Sequence, residues 1–258
     1  MSLKVLLTFD LEEFDVPEEY GSKLAFDKQI EVTTLGLTRL IDLLDKHQVA
    51  CTFFTTAKFA QQKPELIKTI AEKHEIASHG FYHSSFHTAD LKTSREVLEK
   101  IIDKPITGFR MARLAPVDDL EVEKAGYKYN SSMNPTYVPG RYNNLDKPRT
   151  AFYSGSVLNV PTSVTPSLRV PLFWLSFKNF PLWYFKSIMM KTLKRDKVVS
   201  LYFHPWEFTD VSNFGLPKYI SKYSGEKMLQ RLEETIMDLK PNSKFITMNE
   251  YVTKFKNK

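Results

Sequence analysis

Short runs of apolar residues alternate along this chain with longer segments in which apolar residues recur at helical spacing. The apolar runs predict strands over 4–10, 49–56, 75–79, 105–109, 127–132, 156–161, 197–204 and 244–248. The amphipathic segments predict helices over 32–47, 63–74, 90–102, 117–126 and 225–240, with a short helix after the last strand. Because strand and helix alternate about seven times, we expect parallel βα units wound into one sheet or barrel.

Length and composition narrow this picture. The 258 residues fit one large domain or two small ones, and a (β/α) barrel often has this length. We therefore expect one barrel domain over 1–258, with an irregular insertion at about 134–195. The hydrophobic content of 42% excludes global disorder. The single cysteine, Cys51, excludes a disulfide framework and a cysteine zinc cluster, so His and carboxylate side chains would have to bind any metal.

Charge and the first residues bear on location and partners. The opening MSLKVLLTFD has too short an apolar run for a signal peptide, and no stretch has the ~20 apolar residues of a membrane-spanning helix. We expect a cytoplasmic protein. The net charge is +6, but the basic residues are spread along the chain, so nucleic acid is not an expected partner.

Reactive side chains gather where predicted strands end. They are Asp10, Glu12, His79, His83, Arg110 and His204. The carboxyl ends of the strands form the active-site face of a (β/α) barrel. The alternative is that these are ordinary polar residues at solvated strand ends, although two acids, three histidines and an arginine are a chemically particular set.

Spacing within two of these motifs suggests a metal site. His79 and His83 lie four residues apart, which places both on one face of a helix or helical turn, where they can share a cation. Strand periodicity puts Asp10 and Glu12 on one side and Glu13 on the other, so one acid could be a ligand and the other a base. Two unrelated surface histidines and a solvated acidic turn, above all around Glu13 and Asp15, are the alternatives.

The aromatic segment 170–195 contains seven aromatic residues interleaved with basic ones. It could pack in the core, form a sugar-stacking wall beside the site, or contact a membrane surface as an interfacial element. His204, which ends a buried strand, is placed as a general acid or as a structural histidine. Trp206 could stack on a sugar or cover the core.

The order of the motifs FDLEEF, SHGFYH, GFR, AGYKYNSS and FHPWEF resembles that of the polysaccharide deacetylase family, from residue 5 to about 207. The resemblance implies a deformed (β/α) barrel, often of seven strands, and a metal-dependent esterase that removes acetyl groups from carbohydrates. It also implies roles for individual residues. Asp10 matches the general base, Arg110 the residue that orients it, and His204 the catalytic acid. Glu12, His79 and His83 match the metal ligands.

Two positions depart from the family pattern. Met111-Ala112 follows Arg110 where a proline is usual, and Asn130 stands where an aspartate is usual before Ser131-Ser132. If that aspartate orients the catalytic histidine, an asparagine would lend no charge. The ligand motifs are intact.

The resemblance predicts deacetylation of an N-acetylated sugar or glycan precursor, with Zn²⁺ favoured and Co²⁺, Ni²⁺, Mn²⁺ or Fe²⁺ also compatible with such ligands. Tyr82 and Trp206 are candidates for substrate contact. Peripheral contact with the inner membrane surface would suit a lipid-linked precursor. The alternatives are a hydrolase of a small cyclic amide and a degenerate, non-catalytic glycan-binding barrel.

Overall fold

The computed structural model describes residues 2–255. Its strands are β1 (Leu3–Leu11), β2 (Thr52–Thr55), β3 (Glu75–Ser78), β4 (Gly108–Phe109), β5 (Tyr129–Asn130), β6 (Tyr137–Val138), β7 (Tyr142–Asn143), β8 (Phe152–Ser154), β9 (Val157–Asn159), β10 (Val198–Phe203) and β11 (Ser243–Phe245). Its α-helices are α1 (Phe26–His47), α2 (Ala57–Gln62), α3 (Pro64–Lys73), α4 (Thr88–Ile102), α5 (Asp119–Lys124), α6 (Trp174–Asn179), α7 (Leu182–Asp196), α8 (Lys218–Ser221), α9 (Glu226–Leu239) and α10 (Met248–Thr253).

One curled sheet organises the molecule. Its strands follow the order β10-β1-β2-β3-β4-β5-β9-β8, and β11 pairs with the first residues of β1. All of these pairings are parallel except that of β8 with β9. Seven neighbouring parallel strands with covering helices form a half-barrel, which confirms the predicted deformed (β/α) barrel class.

Strand β1 is buried on both faces, as parallel strands usually are. Phe9 and Leu11 of β1 belong to the main core between the sheet and its outer helices. Leu6 belongs to a second cluster with Phe54 and Tyr129. This packing fixes the end of β1, from which two of the predicted site residues extend.

The first helix is longer than its apolar pattern predicts. Helix α1 begins at Phe26, six residues before the expected start at 32. Its N-cap, Ala25, offers no side-chain hydrogen bond, so the sequence carries no capping signal there. The first turn is held by Gln29, which donates hydrogen bonds to Glu18 and to the Leu24 carbonyl oxygen.

The segment 134–195 contributes both irregular chain and regular structure. It contains the small β6–β7 hairpin, which is separate from the main sheet. Strand β9 pairs in parallel with β5, and helix α7 packs against β10 and β1. No α-helix within residues 2–255 is long and apolar enough to cross a bilayer.

Candidate active site

The parallel strands deliver six reactive side chains to one edge of the sheet. Asp10 lies near the end of β1 and Glu12 just beyond it, while His79, Arg110 and His204 directly follow β3, β4 and β10. His83 lies in the loop after β3. Since neighbouring parallel strands end at the same edge, these side chains converge although they are distant in the chain.

Three of them form a compact cation site. The Nε2 atoms of His79 and His83 lie 3.2 Å and 3.1 Å from Oε2 of Glu12. The three ligand atoms are buried and lie within 4.8 Å of one another. Within residues 2–255, neither Glu12 Oε2 nor His79 Nε2 has a hydrogen-bond partner. Buried polar atoms rarely lack partners, so two imidazoles and a carboxylate arranged in this way fit a divalent cation.

The loop that carries the two histidines is not a helical turn. Residues 79–87 have no helix, and Gly80 adopts a positive φ of 85°. The prediction that the two histidines share a helix or helical turn is therefore wrong, because the backbone adopts a left-handed conformation at Gly80. His87, the next histidine in this spacing, is exposed and serves as the N-cap of α4.

The other ring nitrogen of each histidine is also held. His79 Nδ1 donates to the Arg110 carbonyl oxygen at 2.9 Å, and His83 Nδ1 donates to Asp15 Oδ1 at 2.7 Å. These bonds direct both Nε2 atoms at Glu12, as partners behind metal ligands generally do. Trp206 Nε1 donates to Glu12 Oε1 at 3.2 Å and fixes the carboxylate.

Asp15 and Glu13 do not form a solvated acidic turn. Both are buried, and Asp15 also accepts from Arg113 Nη2 at 3.0 Å. Glu13 points away from the cation site and accepts from Thr56 Oγ1 at 2.9 Å, and burial raises its pKa. Sequence reasoning missed Asp15 as the partner of His83, since nothing local links positions 15 and 83.

The electrostatics of this cluster are tightly coupled. Burial favours the neutral form of Glu12, yet the facing imidazoles, led by His83 and His204, outweigh burial and hold the pKa of Glu12 well below its usual range. Burial likewise disfavours the charged form of His83, but Glu12 and Asp15 raise its pKa to about 9. Without a cation, a proton on His83 balances the negative charge of the site.

Asp10 is held by an arginine that has no exposed surface. Arg110 Nη1 lies 2.5 Å from Asp10 Oδ1 and 3.0 Å from Thr8 Oγ1, while Nη2 donates to Ser131 Oγ at 3.0 Å. The guanidinium lies over the Phe54 ring at 4.0 Å. The other oxygen of Asp10 is 4.0 Å from His79 Nε2, at the border of the cation site.

His204 has a carboxylate partner that the sequence reasoning missed. Its Nδ1 donates to Oε1 of Glu207 at 3.1 Å, and its Nε2 lies 3.9 Å from Glu12 Oε1. Burial opposes protonation of His204, but Glu12 and Glu207 outweigh burial and raise its pKa. The sequence did contain a signal for this pair. His204 and Glu207 lie three residues apart in HPWE, which is the spacing of a capping box.

The two departures from the family pattern are structurally accommodated. Asn130 does not orient His204: it donates to Asp119 Oδ1 at 2.8 Å and accepts hydrogen bonds from Ser132. Ser132 Oγ in turn accepts from the Met111 backbone N–H at 2.8 Å. Arg110 therefore keeps its place without a following proline.

A cavity of about 270 Å³ opens over these groups. Among its lining residues are Asp10, Glu12, His83 and His204, together with the aromatic residues Tyr20, Tyr142, Phe173, Trp174, Tyr202, Trp206 and Tyr219. Trp206 is almost fully buried and stacks on His204, so it offers a substrate little surface. Tyr82 lies outside this cavity, 42% exposed against Phe81, because the loop turns its side chain away.

The three interpretations of the aromatic segment apply to different parts of it. Phe177 and Phe185 are core residues. Phe173 and Trp174 line the cavity, with Trp174 perpendicular to His204 at 5.1 Å. Trp183 is 71% exposed on the first turn of α7. Contact between that turn and a membrane surface stays a prediction.

Known proteins resemble this chain in sequence and in fold. The family model of polysaccharide deacetylase matches residues 4–130. Peptidoglycan-N-acetylmuramic acid deacetylase PdaA of Bacillus subtilis (strain 168) is 33% identical over 73 residues, which are 27% of this chain and 28% of that protein. The chain thus matches well under two thirds of the length of this curated relative.

Solved structures share the architecture over nearly the whole chain. A probable polysaccharide deacetylase from Pseudomonas aeruginosa PAO1 superposes with a TM-score of 0.72 at 14% identity, covering 97% of this chain and 89% of that chain. Puue allantoinase gives a TM-score of 0.69 at 14% identity, with coverage of 97% and 89%. At this identity the likeness concerns the fold. The family model matched over residues 4–130, with the motifs in order around one sheet edge, shows that the chain belongs to the polysaccharide deacetylase family.

Proposed function

We propose that this protein is a metal-dependent hydrolase that removes the acetyl group from an N-acetylated sugar or glycan precursor. The observation that carries the proposal is the placement of two proton-transfer groups beside one cation site. A carboxylate oxygen of Asp10 lies 4.0 Å from His79 Nε2, and His204 Nε2 lies 3.9 Å from Glu12 Oε1. A base and an acid flanking one metal are the groups that metal-assisted amide hydrolysis uses.

Glu12, His79 and His83 would hold the cation, and we favour Zn²⁺ among the metals that such ligands accept. When bound, a divalent cation lowers the pKa of water and polarises the acetyl carbonyl group. The partners behind the ligands, Asp15 and Trp206, keep the lone pairs and carboxylate oxygens directed at the ion.

Asp10 acts as the general base in this proposal. It accepts a proton from the attacking water, while the ion pair with Arg110 keeps the carboxylate in one orientation. The burial of Arg110 among Thr8, Ser131 and the Phe54 ring leaves the guanidinium little freedom to move. The base is therefore oriented before the substrate binds.

His204 acts as the general acid. Its protonated ring donates the Nε2 proton to the departing nitrogen as the carbon–nitrogen bond breaks, and the products are acetate and a free amino sugar. Phe173 and Trp174 line the cavity, with Trp174 beside His204, and they supply an apolar surface on which a sugar ring can stack. The modest cavity volume suits one sugar unit or a few.

Acetate release from a panel of N-acetylated sugars, free and nucleotide-linked, tests the proposal. The panel is run with Zn²⁺, Co²⁺, Ni²⁺, Mn²⁺ and Fe²⁺ in turn, and small cyclic amides are included as competing substrates. We expect metal-dependent acetate release from at least one sugar. Ring opening of a cyclic amide without any acetate release would contradict the proposal, and so would metal binding without hydrolysis of any substrate, including p-nitrophenyl acetate.

A further inference from the structure

A buried ion pair lies directly behind His204 and is not used in the mechanism above. Lys178 Nζ is 3.1 Å from Oε2 of Glu207, and neither side chain has exposed surface. Lys178 belongs to α6, within the aromatic segment, whereas Glu207 follows β10. Burying two charges is unfavourable unless each is well paired, so this pair is an expensive arrangement for a purely structural contact.

The surroundings of Lys178 hold it in one place. Its ammonium group donates to the Ile220 carbonyl oxygen at 2.8 Å and lies 5.6 Å and 5.3 Å from the ring centres of Trp174 and Trp206. The same two indole rings enclose His204, one perpendicular at 5.1 Å and the other stacked at 5.0 Å. The cation and the imidazole thus share their aromatic neighbours.

The two carboxylate oxygens of Glu207 have separate partners. Oε1 accepts from the backbone N–H of His204 at 2.8 Å and from its ring Nδ1 at 3.1 Å, while Oε2 faces Lys178. The backbone bond alone would suffice to begin the short 3₁₀ turn at Pro205–Phe208, and it needs no lysine. The ion pair instead fixes the rotation of the carboxylate, so that Oε1 stays on the ring.

We propose that Lys178 is a positioning residue that acts through Glu207 to hold His204 with its proton on Nδ1 and its Nε2 directed into the cavity. This inference rests on the proposed deacetylase function. In the reaction the Nε2 proton passes to the amide nitrogen and the carbon–nitrogen bond breaks. The neutral imidazole keeps its proton on Nδ1, from which it still donates a hydrogen bond to Glu207. Because the ring is oriented before the reaction, the activation free energy of that proton transfer is lower.

A comparison of leaving groups tests this role. Lys178→Met, and the double variant Lys178→Met/Glu207→Gln, which leaves no unpaired buried charge, are assayed with triacetylchitotriose and with p-nitrophenyl acetate. An amine departs only when protonated, whereas nitrophenolate departs without a proton. We expect kcat/KM for the sugar to fall about 10- to 100-fold, the range typical of partners that orient a functional histidine, while hydrolysis of the ester changes little.

Lys186→Met is the matched control. Lys186 lies in the same aromatic segment and pairs with Glu234 and Asp238, but it does not contact His204. We expect this variant to retain both activities. Equal losses with the two substrates in the double variant, or no loss with the sugar, would overturn the positioning role.

A spectroscopic readout separates this inference from the proposed function. Long-range ¹H–¹⁵N correlation spectra of the metal-free protein, recorded at a pH high enough for the His204 ring to be neutral, report which ring nitrogen carries the proton. We expect protonation on Nδ1 in the wild type and a mixture of tautomers in Lys178→Met. A wild-type proton on Nε2 alone would overturn the inference. If the wild type hydrolysed neither substrate, the proposed function would fail while this measurement still decided the positioning role.

Discussion

Asp10 and Glu12 show how two carboxylates on the same side of the chain take different surroundings. Both face the cavity, but Asp10 bonds to a buried arginine, whereas Glu12 faces two imidazoles. A carboxylate that an arginine holds through one oxygen, while its other oxygen faces the cation site, suits a base. A carboxylate with an unpartnered oxygen between two histidine nitrogens suits a ligand.

Removing one ligand should abolish metal binding. We expect His79→Ala to be purified without bound metal and to show no rise in unfolding temperature with added Zn²⁺, whereas the wild type gains about 2.7 kcal/mol at a metal concentration of 100 times the Kd. Metal analysis and thermal unfolding measure this. His87→Asn is the control, because His87 is exposed, and asparagine is an equally suitable N-cap. Full metal occupancy in His79→Ala would refute the site.

Metal affinity should rise with pH. In the metal-free protein the pKa of His83 is raised from 6.5 to about 9, so a cation must displace a proton at neutral pH. We expect release of a proton on Zn²⁺ binding at pH 7, and an affinity that grows about tenfold per pH unit until pH 9. Calorimetry in buffers with different ionisation enthalpies measures the proton count.

The raised pKa of His83 also makes the stability of the metal-free protein depend on pH. Protonated His83 stabilises the fold fully below pH 6.5, and this contribution is lost as the pH rises through about 9. Zn²⁺ binding at pH 7 without proton release would contradict the charge state assigned to the cluster.

The sequence predicted the residues of the site better than the residues that hold them in place. Strand ends and the resemblance identified Asp10, Glu12 and His204 from local patterns. Asp15 and Lys178 could not be found in this way, since each contacts the site through a partner far away in the chain and lies in a segment with no motif of its own. Only the folded sheet brings them together.

At the scale of elements, a close approach between two backbones supports the His204 loop. A Cβ on Gly36 of α1 would lie 2.0 Å from the Pro205 carbonyl oxygen. The absence of a side chain at this position lets the helix backbone lie directly against the 3₁₀ turn that follows His204. Helix α1 therefore determines where that turn, and His204 before it, can lie.

This contact predicts a stability effect. We expect Gly36→Ala to destabilise the protein by about 1–3 kcal/mol, because backbone atoms on both sides must move apart. Chemical denaturation measures the loss. Leu35→Ala, at a half-exposed position one residue earlier, should cost much less. If Gly36→Ala were as stable as the wild type, α1 could not be packed against the turn as described.

Prediction of the elements succeeded where pattern and packing agree. The buried strands β1 and β10 were found within one or two residues, because continuous apolar runs leave little ambiguity. The start of α1 and the histidine loop were not found, since an uncapped helix start and a glycine reversal leave no periodic signal. Tertiary contacts decide both.

At the scale of the whole molecule, the curled parallel sheet turns dispersed motifs into one site. Residues from position 10 to position 207 meet because β1, β3, β4 and β10 end at one edge. The fold is shared with an allantoinase as well as with deacetylases, so it does not by itself select the substrate. The cation site and its two flanking groups carry the functional argument.

Titration of the metal-free protein with Zn²⁺, with acetate release from an N-acetylated sugar recorded at each step, tests the central claim most directly. We predict activity that rises linearly and saturates at one metal ion per chain. Asp10→Asn should bind the same equivalent but release acetate at least about 100-fold more slowly, the usual effect of losing a general base. Acetate release that is independent of metal, or that is unchanged in Asp10→Asn, would contradict the account.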